Sequence, residues 1–152
     1  MDKRKPCEFE IALDKTLNDL GLDLTTAKSV HATGTSYQFH WNGLPFWISV
    51  PATIPNIYSN VFRVDVDVAT LDEHDAGRVL YEIALYLTVD DCTVVRVVPQ
   101  PTKGQKIRIK LQVVGLVDWF QTDFISFAVP HMAELAQNFR ETLIDAGQDK
   151  AA

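Results

Sequence analysis

The chain has 152 residues, 47% hydrophobic and 22% charged, with a formal net charge of −6, and at 17.1 kDa it is long enough to bury a core. A pI near 5.1 argues against a nucleic-acid partner, because duplex binding is driven by clustered Lys and Arg. Cys7 and Cys92 match no metal or redox spacing. No signal-peptide pattern follows the charged start and no apolar run reaches membrane-span length, so free thiols, a cytoplasmic location and no membrane contact are expected.

From Glu8 to Leu20, Phe9, Ala12, Leu13, Leu17 and Leu20 recur at helical spacing. This predicts a short amphipathic helix, polar on its outer face and ended by Gly21. A hairpin follows. Tyr37, Phe39 and Trp41 alternate with polar residues, as do Leu44, Phe46, Ile48 and Val50 with Pro45, Trp47 and Ser49. Asn42-Gly43 suits a two-residue type I′ turn. That turn sets Trp41 opposite Leu44, Phe39 opposite Phe46 and Tyr37 opposite Ile48, all on one face. Pro51, Pro55 and Asn56 interrupt the second strand and mark a loop. A third strand has Phe62, Val64, Val66 and Val68 facing inward and Arg63, Asp65 and Asp67 outward.

Asp72 is a good N-cap, and Glu73 and Asp75 suit a helix N-terminus. Ala76, Val79, Leu80, Ile83, Ala84 and Leu87 form a helical stripe, while Tyr81, Leu85 and Tyr86 make the other sides apolar too. A helix of this kind is usually buried on more than one side. Tyr81, Leu85 and Tyr86 are therefore the expected interface of a homodimer. Thr93 to Val98 reads as a fourth strand, Pro99 to Gly104 as a loop, and Ile107, Ile109, Leu111 and Val113 as the inner side of a fifth. The last helix carries Phe124, Phe127, Ala128, Met132, Leu135, Ala136, Phe139 and Leu143 at helical spacing. Pro130 either kinks it or occupies its first turn. A frayed tail is expected after Gly147.

The fold class is thus α+β: one domain over residues 1–152, ordered from about residue 8 to about residue 146, with helices on a five-stranded antiparallel sheet in the order α-β-β-β-α-β-β-α. His31, His40, His74 and His131 form no ligand or acid–base constellation with neighbouring Cys, Asp or Glu. No nucleophile elbow or glycine-rich phosphate loop is present. No catalytic, cofactor-binding or metal residues are assigned, and the chain is not expected to be an enzyme. Asp65 and Asp67 read as a solvated face or as cross-strand partners for Lys106, Arg108 and Lys110. That cationic row is read as protection of an edge strand, since no stacking aromatics interleave with it. Trp47, Trp119 and Phe120 are the partner-binding candidates, being large aromatics outside the core pattern.

This order, together with the small size, the acidic pI and the over-apolar middle helix, resembles the type III secretion chaperone fold and the related YbjN-type sensory transduction regulator domain. The resemblance spans Phe9 to Leu143. It implies a curved sheet backed by the first and last helices, a homodimer about the middle helix near Leu80 to Leu87, and a protein client or signalling partner as ligand. A small-ligand binder or enzyme using the cleft between the sheet and the loop from Pro51 to Asn56 is the alternative from another class.

Overall fold

The computed structural model describes residues 7–52, 60–89, 95–117 and 122–145. In chain order the elements are α1 (Glu8–Asp19), α2 (Leu24–Ala27), β1 (Lys28–His31), β2 (Gly34–Trp41), β3 (Leu44–Pro51), β4 (Val61–Asp72), α3 (Glu73–Val89), β5 (Val95–Pro101), β6 (Lys106–Leu116) and α4 (Asp123–Phe139), with a π-helical turn over Arg140–Asp145. The strands form a single sheet in the order β1-β2-β3-β4-β6-β5. Two compact units divide the chain, the first from residues up to 64 with 114–130, the second from 65–113 with the residues after 130.

The sheet has six strands rather than five, and a short helix precedes the extra one. β1 pairs antiparallel with β2, Lys28 opposite Tyr37 and His31 opposite Gly34. Its turn, Ala32-Thr33, carries neither of the residues that normally announce a hairpin, and Val30 alone supplies an apolar side chain to the strand. Gly34 is required where this turn meets the next strand: its φ is +155° and a Cβ there would run into the Val50 carbonyl oxygen.

In the first unit α1 buries Phe9, Leu13 and Leu17. It ends in a Schellman motif, with the Gly21 N–H on the Asn18 carbonyl and the Leu22 N–H on the Leu17 carbonyl. The β2–β3 hairpin has the expected register, Tyr37 with Ile48, Phe39 with Phe46 and Trp41 with Leu44. Asn42 and Gly43 both have positive φ, as a type I′ turn demands. The Phe39 and Phe46 rings stack across the strands at 5.4 Å, and Phe9 of α1 stacks on Phe62 of β4 at 5.0 Å. Pro51 is the last residue of β3 rather than a break within it.

In the second unit α3 packs on β5 through Ala76, Val79, Ile83 and Leu87, all buried. β5 and β6 pair antiparallel from Val95–Val113 to Pro101–Ile107. Pro99 and Pro101 therefore lie in a strand and not in a loop. They are tolerated because β5 is the edge of the sheet, where a missing N–H faces outward. The same strand order overturns the edge-protection reading of Lys106, Arg108 and Lys110, since β6 lies between β4 and β5.

Pro130 stands inside α4, neither in its first turn nor at a break between two helices. The ridge that α4 buries is Ile125, Val129, Met132, Ala136 and Phe139. Phe127, expected on the apolar stripe, lies off that ridge and is 74% exposed. Residues 93–94 at the expected start of the fourth strand, the loop residues Pro55 and Asn56, Cys92 and Gly147 lie outside the described residues.

Candidate functional site

The outer face of α3 carries two large apolar side chains in water. Tyr81 is 69% exposed and Leu85 52%. They lie four residues apart on one side of the helix, with Gly77, Ala84 and Thr88 exposed around them. Ala84, expected on the inner stripe, belongs to this outer face. The Thr88 hydroxyl donates to the Ala84 carbonyl at 2.8 Å, which removes its one polar hydrogen from the surface. Arg78 and Glu82 pair with each other at 3.6 Å along one rim. The result is a strip of two large apolar anchors among small side chains, free of unpaired charge. Tyr86 is more committed to its own chain: it is 41% exposed, and its ring meets Phe139 edge-on at 5.2 Å.

Trp47 points away from the hairpin core, as expected, and is 44% exposed on the open face of the first unit. Gln38 stands directly across from it on β2, with His40 exposed on the same face. Trp119 and Phe120 lie outside the described residues. Three apolar side chains that the sequence pattern did not mark as exposed also reach solvent: Ile11, Val30 and Phe127. For Phe127 a signal existed, because the spacing of Ile125, Val129 and Met132 defines a buried ridge that excludes it.

The polar residues of α1 behave unlike a solvated face. Glu10 and Thr16 are buried, contrary to the expected polar exterior. Glu10 accepts from the Thr35 hydroxyl at 3.1 Å. Asp14 accepts from the Tyr37 hydroxyl at 2.6 Å and from Lys28 Nζ at 2.6 Å. Burial pushes the Tyr37 hydroxyl above the ordinary tyrosine range, and its bond to the Asp14 carboxylate pushes it further. The Glu10 and Asp14 bonds fasten α1 to β1 and β2, and the Thr16 hydroxyl donates to that of Thr122 at 3.3 Å. Asp23 caps the short α2, its carboxylate accepting from the Thr25 hydroxyl and then the Thr25 N–H, which together hold it below the usual carboxylate range.

On the open face of the second unit, Gln112 Nε2 donates to Asp65 at 2.7 Å while its carbonyl accepts from Arg96 Nε at 2.9 Å. Arg108 reaches Asp67 at 3.9 Å. Asp65 and Asp67 thus serve as cross-strand partners. Among the described residues no group of three or more His, Cys, Asp or Glu is placed to hold a metal, and no helix is long and apolar enough to cross a membrane.

The fold is shared with a chaperone–effector structure. A chain of the solved HopA1-SchA chaperone–effector complex superposes with a TM-score of 0.60 at 10% identity, covering 88% of this chain and 94% of that one. No protein-family profile and no curated relative matches the sequence. At this identity the likeness concerns backbone architecture alone, an α+β fold with helices and an antiparallel sheet.

Proposed function

We propose that this protein is a cytoplasmic, non-enzymatic, chaperone-like module that holds a segment of a client protein and works as a homodimer joined through the outer face of α3. The observation that carries the reading is the Tyr81–Leu85 strip. A helix whose inner face is already core keeps two large apolar side chains in water, where burial of each is worth about 1.5–3 kcal/mol. A two-fold interface is self-complementary by construction, and an uncharged strip of anchors among small residues suits it. Trp47, exposed on a different element, is the proposed client contact among the described residues, with Trp119 and Phe120 proposed beside it in role. The likeness to a chain of a chaperone–effector complex supports a protein as the ligand.

Sedimentation equilibrium of the wild type and of Leu85→Glu tests the dimer. The expected result is twice the chain mass for the wild type and the single-chain mass for the variant, with the circular dichroism spectrum unchanged. A monomeric wild type, or a dimer that Leu85→Glu leaves intact, overturns the α3 interface. Trp47→Ala is expected to weaken client capture without changing the mass.

A further inference from the structure

We propose that the open sheet face of the second unit is a separate docking site for an extended acidic segment of a protein partner, an inference that rests on the protein-binding reading above. Lys106, Arg108 and Lys110 alternate along β6 with Ile107, Ile109 and Leu111, so the three cations share one face at a repeat of about 7 Å. Strand order removes the usual explanation for such a row. β6 is interior, and its charges guard no edge.

Neutralisation among the described residues does not explain the row either. On the β5 side, Arg108 faces Gln100, Lys110 faces Val98, and Gln112 faces another cation, Arg96. On the β4 side, Asp67 reaches Arg108 only at 3.9 Å, and Asp65 is taken by the Gln112 amide. Among the described residues Lys106 and Lys110 form no ion pair. Like charges close together on a sheet face disfavour the fold, and among the described residues of this unit's face four cations on β5 and β6, Arg96 included, stand against two carboxylates on β4, in a chain whose net charge is −6.

Charge complementarity selects the occupant. An extended peptide presents alternate side chains on one side at the same repeat as β6, so Asp or Glu at every second position meets the three cations in register. A nucleic-acid strand has the phosphates but would need bases stacked on aromatic rings. The open face of this unit offers Arg96, Val98 and Gln100 from β5 and no aromatic residue from β5 or β6.

The test is fluorescence anisotropy of the full-length protein with a labelled peptide of alternating Glu and Thr, and with its Lys–Thr counterpart. The Glu–Thr peptide is expected to bind, and to weaken about tenfold in Lys106→Gln/Arg108→Gln/Lys110→Gln and again on raising salt from about 50 to about 300 mM. Should the triple variant lose its fold by circular dichroism, Lys106→Gln and Lys110→Gln singly, neither in an ion pair, are each expected to weaken binding about threefold. No binding of the acidic peptide, equal binding by the variants, equal binding of the Lys–Thr peptide, or tighter binding of a single-stranded oligonucleotide overturns the proposal. The mass of the wild type separates the two readings: a wild-type dimer that ignores the acidic peptide defeats this site alone, and a wild-type monomer that binds it defeats the α3 interface alone.

Discussion

In the first unit, α1 turns Glu10, Asp14 and Thr16 toward its neighbours, where Glu10 and Asp14 take hydrogen bonds from Thr35, Tyr37 and Lys28. In the second, α3 meets its strands with Val79, Ile83 and Leu87, and keeps Tyr81 and Leu85 on the outside. One helix is held by directional bonds plus a modest apolar stripe. The other is held by apolar burial alone and has apolar surface left over. Hydrogen bonds to charged groups fix the position of α1 but add no surface that a partner could use. Surplus apolar area on α3 does the reverse: it adds little to the stability of the single chain and is available for association.

The sharpest way to break that comparison is to truncate each face of α3 in turn. Ile83→Ala, at a fully buried position, should cost about 3 kcal/mol in urea denaturation, whereas Leu85→Ala should change monomer stability by less than about 0.5 kcal/mol. Equal costs would mean that the outer face is covered within the chain. For α1 the corresponding change is Asp14→Ala, which strands the Tyr37 hydroxyl and the Lys28 ammonium together. It should cost about 2 kcal/mol by the same measurement. A loss near zero would show that α1 is held by Phe9, Leu13 and Leu17 without help.

The smallest effect concerns pH. Tyr37 is held above its ordinary value in the folded chain, so its contribution is fully present below the unfolded value of about 10 and is lost as pH rises toward the folded value. Tyr37→Phe should lower the melting temperature by a few degrees at neutral pH, for about 1 kcal/mol of lost hydrogen bonding. It should also remove part of the decline above about pH 10. A variant that declines as steeply as the wild type would place the alkaline sensitivity elsewhere.

How much of this was legible beforehand varied with the kind of signal. The β2–β3 hairpin was readable to the residue, because Asn42-Gly43 admits one turn geometry and the period-two pattern admits one register. The apolar surplus of α3 was readable too, as Tyr81, Leu85 and Tyr86 add apolar surface outside its buried stripe. β1 was not, since four residues with a single apolar side chain and an Ala-Thr turn offer no local pattern. Pro99 and Pro101 suggested a loop, because proline is excluded from a strand unless that strand is an edge. Which strands are edges is a property of the sheet and not of the segment.

The same limit governed both halves of the candidate site. Local chemistry determined which residues would be helix or strand, which face of each was apolar, and that α3 had more apolar surface than one neighbour could use, since periodicity and turn preference act over a few residues. Only the tertiary arrangement decided that Glu10 is buried, that Tyr86 is partly claimed by Phe139, and that the Lys106, Arg108 and Lys110 row lies on an interior strand. Each of these depends on which distant segment lies alongside, and the pairing of β4 with β6 across more than a full helix leaves no mark in either strand's own sequence.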